Sequence, residues 1–230
     1  MTPHQALPQS RLLIAIPMKD PQFAKSRLAT VLPEEARKRL AMGLYKQTLA
    51  FFSAFRKTSG IRYDLLVVTG SEQVADLARA HGAYTLPEDA CEGLNGAVSA
   101  AAQWAAASGY HTLCVVPADI ADHDEAEFTR LLSCEMAERS VVLCPAHDQG
   151  TNALLVSPPT ALPFAYGNKS FHRHLAHAER LGLSTRILPL PGIAQDIDTS
   201  TDLALHLPGF SEGKPAAGRG ATGSVVRSPS

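Results

Sequence analysis

Short runs of consecutive apolar residues recur along this chain, and each gives way to a stretch with helical spacing of its apolar positions. The first run, residues 12–18 (LLIAIPM), contains no polar position. Such a strand must be covered on both faces, as in a parallel sheet with helices on each side. A loop over 19–32 follows, then a helix with Pro33 near its first turn. Glu34 and Glu35 stand beside that proline, where acidic groups suit the positive end of a helix. Leu40, Leu44, Phe51 and Phe55 give the helix one apolar face. The same reading predicts strands at 65–69, 83–86, 112–116, 141–144, 152–156 and 185–190, and helices at 72–80, 94–107, 124–139, 171–181 and 201–206. This alternation predicts an α/β fold with a mostly parallel central sheet flanked by helices. Right-handed crossovers then bring the strand C-termini to one edge, where ligands bind in open α/β sheets.

The 230 residues fit one such domain. We expect a flexible N-terminus at 1–10, the folded domain at 11–207 and a disordered tail at 208–230, where Gly, Pro, Ser and Ala dominate. A net charge of −1 argues against a general nucleic-acid binder. Cys91, Cys114, Cys134 and Cys144 form no CxxC pair and read as reduced structural thiols. The chain opens on no signal peptide, and no apolar run approaches the ~20 residues of a membrane span. The expectation is a soluble, cytoplasmic protein with no membrane or nucleic-acid partner.

Several constellations fall at the expected binding edge. Lys19, Lys25 and Arg27 place three cations just past the first strand, with Ser26 between the last two. Polyphosphate needs positive charge and donors there. The glycines of a Walker loop are missing, and a solvated basic loop is the plain alternative. Asp119 ends the fourth strand's run, and one carboxylate there is enough to start a Mg²⁺ site. Asp122 and Asp124 are better placed than Asp119 to cap the next helix. In Asp196-Ile197-Asp198, residues two apart in extended chain face the same way, so both carboxylates project together while Ile197 turns to the core. Two like charges side by side call for a cation between them, although Asp198 or Thr199 is also a good helix cap. Gly150-Thr151-Asn152 and Gly167-Asn168-Lys169-Ser170 offer hydroxyls and amides for an anion, with turn and cap chemistry as the alternative. Asn95 can cap the alanine-rich helix or touch a nucleotide. His172, His174 and His177 crowd one helix and read as surface or lining residues, lacking a third zinc ligand.

Taken in order, these segments resemble the CofC/FbiD guanylyltransferases of coenzyme F-420 (deazaflavin) biosynthesis. The resemblance runs from about Leu12 to Leu205. Its parts are IPMKDPQFAKSRLA at 16–29, GLN at 93–95, VVPAD at 115–119, GTNAL at 150–154, GNKSFHRH at 167–174 and DIDTSTDL at 196–203. It implies a GT-A-like, Rossmann-related nucleotidyltransferase fold, with GTP as co-substrate and Mg²⁺ as cofactor. The acceptor it implies is a small phospho-acid: 2-phospho-L-lactate, phosphoenolpyruvate or 3-phospho-D-glycerate. Asp119, Asp196 and Asp198 fall on the family's metal-binding aspartates. Thr151, Gly167 and Ser170 fall on its acceptor pocket. On this reading Lys25 and Arg27 neutralise the β- and γ-phosphates, with Lys19 and Asn95 also on the nucleotide. Ala121 departs from the family, many members of which carry proline there. The product would pass to a downstream transferase making the deazaflavin coenzyme, and the resemblance leaves room for a homodimer. Two other readings stay open: a nucleotidyltransferase acting on molybdopterin or a sugar phosphate, and a non-catalytic nucleotide-binding regulator.

Overall fold

The computed structural model describes residues 12–88, 93–207 and 210. Residues 1–10, the 208–230 tail apart from Phe210, and Cys91 lie outside the described residues. Seven strands form one sheet in the order β3-β2-β1-β4-β6-β5-β7. They are β1 (Leu12–Pro17), β2 (Asp64–Thr69), β3 (Tyr84–Pro87), β4 (Thr112–Val115), β5 (Ser140–Pro145), β6 (Thr151–Ser157) and β7 (Ser184–Ile187). Pairing is parallel except along β6, which runs antiparallel to both β4 and β5. The mostly parallel α/β sheet predicted from the apolar runs is therefore present.

Strand alternation sorts the core into two layers. Ile14 and Ile16 face one side, with Phe52 of α1 (Glu34–Thr58), Val74 of α2 (Glu72–Ala80) and Phe128 of α4 (Glu125–Leu132). Leu13 and Ala15 face the other, against α3 (Gly93–Ala107) and α5 (Ser170–Arg180). Ala97, Ala101 and Ala105 lie on the buried side of α3, and their small side chains let that helix lie close on the sheet. The α1 helix carries Glu34 and Glu35 at its start and Arg56 and Lys57 at its end, each sign matched to the helix dipole. Leu40, Leu44 and Phe55 are buried as expected. Phe51 is half-buried on Phe128, its ring 4.9 Å away.

Two elements stop earlier than their sequence suggests. The helix predicted at 124–139 ends at Leu132, because Phe128, Leu131 and Leu132 complete its buried face and Ser133 caps it. The strand predicted at 185–190 ends at Ile187. Leu188 still donates to Leu143 O (2.9 Å), but Pro189 has no N–H to continue the ladder. A third apolar cluster joins Leu28, Leu40, Leu44 and Ile197 to Leu203 of α6 (Ser200–His206). It lies beneath the two loops that carry the charged residues. None of the described helices is long and apolar enough to cross a membrane.

Candidate active site

The parallel strands end on one edge, and the loops after β1 and β4 meet there. Asp119 follows β4 by four residues. It is not a helix cap, because Asp124 takes that role, accepting from Ala126 N (2.7 Å) and Glu127 N (3.0 Å). The segment bearing Asp196 and Asp198 joins it through a two-residue antiparallel bridge between Ile120 and Asp196. Ala121 N–H also donates to Gln195 O (2.9 Å). A proline at 121 would lack that donor, so alanine here adds a link between the two acidic segments. Ile197 is buried, which turns its two aspartate neighbours outward together. The α6 cap is Thr199, in a reciprocal capping box with Asp202. The Asp198 carboxylate is thereby left to the cluster.

Lys25 closes the arrangement. Its backbone is left-handed (φ 54°) and its side chain is buried. The ammonium donates to Asp119 Oδ2 (2.5 Å) and Asp198 Oδ1 (3.1 Å). Burial opposes its charge, but the two carboxylates outweigh that and hold its pKa above the ordinary lysine value. Arg27, largely exposed, reaches Asp198 Oδ2 at 3.3 Å. Burial, then repulsion from Asp198 and Asp119, pushes Asp196 up to about 6.

This geometry adds to the phosphate role expected of Lys25: its ammonium lies inside the acidic pair while its side chain also lines the cleft. Lys19 and Arg27 are the exposed cations of the loop. The three aspartates are not one ready-made ligand set. Among the described residues no group of three His, Cys, Asp or Glu stands at metal-binding separation. Asp119 and Asp198 share one ammonium, and Asp196 lies near enough to repel both. Mg²⁺ takes one or two carboxylates and leaves its other positions to water and phosphate, so the Asp119–Asp198 pair fits it. Three carboxylates against Lys25 and Arg27 leave a net negative charge that favours a cation there. A cleft of about 460 Å³ opens beside the pair, lined by Lys19, Lys25, Glu88, Leu94, Asp119 and Asp198.

The antiparallel strand brings in the other predicted residues. Val115 of β4 pairs with Leu154 of β6, so Thr151 lies three residues nearer the edge that carries Asp119. Ser170 opens α5 and donates to Thr151 Oγ1 (3.3 Å). Its N–H is bonded to Gly167 O (3.1 Å), so neither that amide nor the hydroxyl proton is free for a ligand. Gly167 needs its lack of a side chain: φ is 111°, and a Cβ would come within 3.1 Å of Arg173 Nη2. Asn95, expected on a nucleotide or as a cap, has an amide that accepts from Tyr166 N (2.6 Å) and donates to Tyr166 O (3.3 Å), clamping the chain just before Gly167.

Other residues hold the site together without a sequence signal. Glu127 looks like an ordinary first-turn acid, yet its carboxylate accepts from Gly192 N and Ile193 N, each at 3.0 Å. Asn152 donates to Ile193 O (2.9 Å). Together they fix the loop that leads into Asp196. Thr48, buried in α1, lies 3.1 Å from Ala118 O and 3.0 Å from His123 Nε2, tying α1 to the residue before Asp119. Burial lowers the His123 pKa to about 4, despite Asp122 nearby. Of the three clustered histidines, His172 is exposed and His177 half-buried. His174 is fully buried, contrary to the surface or lining role expected for it. Cys114 and Cys144 are buried free thiols, and Cys134 is a half-buried one.

The chain matches the family model described as "Guanylyl transferase CofC like" over residues 12–212. It is 44% identical over 195 residues to the 3-phospho-D-glycerate guanylyltransferase of Colwellia psychrerythraea, covering 85% of this chain and 90% of that one. The phosphoenolpyruvate guanylyltransferase of Chloroflexus aggregans is 39% identical over 194 residues, covering 83% and 94%. Among solved structures, a protein of Desulfovibrio desulfuricans assigned provisionally as a nucleotide-diphospho-sugar transferase aligns with a TM-score of 0.68. That alignment has 18% identity and covers 89% of each chain. A nucleotidyl transferase from Methanothermobacter thermautotroptrophicus aligns with a TM-score of 0.60 at 13% identity, covering 85% and 95%. These likenesses show the nucleotidyltransferase-type fold.

Proposed function

The chain belongs to the CofC-like guanylyl transferase family, and from that premise we propose that it transfers GMP from GTP to a small phospho-acid, releasing diphosphate. The observation that carries the reading is the juxtaposition of Asp119, Asp198 and Lys25 at the sheet edge toward which the β6 register also brings Thr151, with Ser170 bonded to it. One half suits a metal-bound triphosphate and the other a small anion. The acceptor we put first is 3-phospho-D-glycerate, named for the relative at 44% identity, ahead of phosphoenolpyruvate, named for the one at 39%. The reaction would stand among the steps of coenzyme F-420 formation in the cytoplasm, upstream of a transferase that consumes the nucleotide-linked acid.

An oxygen of the acceptor phosphate attacks the α-phosphorus of GTP. A new P–O bond forms as the bond from the α-phosphorus to the bridging oxygen breaks, and diphosphate leaves with that oxygen. A phosphate monoester with a second pKa near ~6 is already largely dianionic at neutral pH, so no side chain need remove a proton. Catalysis then rests on alignment and on screening anions from one another. Asp119 and Asp198, with Asp196 beside them, would hold Mg²⁺, which when bound supplies positive charge to the phosphate oxygens. Lys25 fixes the angle of both carboxylates. Lys19 lines the cleft and Arg27 stands exposed beside Asp198, and both would neutralise the leaving diphosphate. Thr151 orients the acceptor through its hydroxyl, and Ser170, whose own proton goes to Thr151, holds that hydroxyl in place.

The decisive measurement is diphosphate release with GTP and Mg²⁺ against each of the three acids in parallel, with product mass to identify the linkage. Release with none of them would sink the reading. Asp119→Asn should lower turnover by about a hundredfold or more while circular dichroism stays unchanged. Turnover near that of the wild type would remove Asp119 from the site.

A further inference from the structure

His174 is fully buried, yet it makes two directed polar contacts. Ala165 N–H donates to its Nε2 (2.9 Å). That nitrogen is therefore the acceptor, and the ring proton belongs on Nδ1. Nδ1 lies 3.0 Å from Thr151 Oγ1. The Tyr166 ring packs edge-on against the imidazole at 4.9 Å, which holds its plane. Thr151 Oγ1 thus receives one hydrogen bond from Nδ1–H and another from the Ser170 hydroxyl. A hydroxyl has two lone pairs and one proton. Both lone pairs are taken, so only the proton is left to offer a ligand.

We propose that His174 is a positioning residue that fixes the Thr151 hydroxyl as an obligate donor to an anionic oxygen of the acceptor acid. The assignment rests on the proposed reaction for the identity of the ligand, but not for the hydrogen-bond network. It makes Thr151 selective by exclusion. A carboxylate or phosphate oxygen can accept the offered proton, whereas a ligand group presenting its own N–H or O–H there meets a filled oxygen. Burial, with His177 and Arg173 adding to it, lowers the imidazole pKa to about 4, which keeps the ring neutral and the relay intact at physiological pH.

Two conservative variants separate this role from a structural one. In His174→Asn the side-chain N–H₂ replaces the Nδ1 donor, but nothing accepts from Ala165. In His174→Gln the amide oxygen replaces the Nε2 acceptor, but Thr151 loses its donor. We expect His174→Gln to raise the acceptor KM roughly tenfold with the GTP KM changed less than about twofold. His174→Asn should recover the acceptor KM to within about threefold of wild type. In a Thr151→Val background, His174→Gln should add less than about twofold, since its partner is gone. The reverse order of Asn and Gln, or an equal effect on the GTP KM, would overturn the assignment. Long-range ¹H–¹⁵N spectra of the folded protein give a test that needs no turnover: an Nδ1–H tautomer supports the relay and an Nε2–H tautomer refutes it. If the wild type releases no diphosphate with any acid, the proposed reaction falls, and the tautomer still decides the network.

Discussion

At the scale of single residues, the structure adds most to the sequence reading of Lys25. Charge and position mark it as a phosphate ligand, and its ammonium also sits between Asp119 and Asp198. Without it the two carboxylates would repel at close range, and their geometry would be set by repulsion rather than by a shared donor. Lys25→Ala should therefore reduce kcat about a hundredfold, whereas Lys57→Ala, exposed near the end of α1, should leave it unchanged. Similar losses in both variants, measured as diphosphate release under saturating GTP, would refute the placement of Lys25. Asn95 teaches the same lesson more quietly. A polar residue at a helix start suggests a cap or a ligand, and only the fold shows Tyr166 waiting 71 positions away.

At the scale of elements, the antiparallel strand β6 decides the layout. Had it run parallel, Thr151 would lie at the opposite edge of the sheet, away from Asp119. The α4 helix serves the site through its first turn, where Glu127 holds the amides of Gly192 and Ile193. Glu127→Ala should cost about 1–3 kcal/mol, since two amides lose a charged acceptor. In a domain of this size that lowers Tm by about 2–4 °C per kcal/mol. Turnover should fall as well, because the loop into Asp196 and Asp198 loosens. Thermal unfolding and diphosphate release measured on the same sample check both. A lower Tm with full turnover would show that the loop does not need this tether to align the aspartates.

At the scale of the whole molecule, stability against acid depends on groups buried for the sake of the site. His123 and His174 both have folded-state pKa values lowered to about 4, mainly by burial. The unfolded chain takes up these protons near 6.5, so between there and about 4 it binds more protons than the fold does. The two histidines therefore lower stability as pH falls through that window and change it no further below. Asp196 works in the opposite direction, since its folded pKa is raised to about 6 and its protonation favours the fold as pH falls. Two histidines against one aspartate predict a net loss on acidification from 6.5 toward 4. In His174→Gln the slope of stability with pH should be shallower than in wild type, as read from urea midpoints across that range. An unchanged slope would mean that His174 titrates normally in the fold.

The sequence by itself determined the element order, the parallel character of the sheet and the outward pairing of Asp196 and Asp198 around a buried Ile197. Those follow from local periodicity, which is written in neighbouring residues. It also offered Asp119 as a candidate, because a carboxylate at a strand end carries a local signal, whereas Thr151, Gly167 and Ser170 became acceptor-pocket candidates only through the family resemblance. Only the tertiary structure decided what each polar atom touches. Lys25 lies 94 positions from Asp119 and 173 from Asp198, Glu127 holds amides 65 positions on, and His174 bonds a hydroxyl 23 positions back. Such contacts depend on where β6 and the loop before Asp196 come to rest on the sheet. That is settled by packing over the whole core and by the need to satisfy every buried donor and acceptor, neither of which any short stretch of sequence contains.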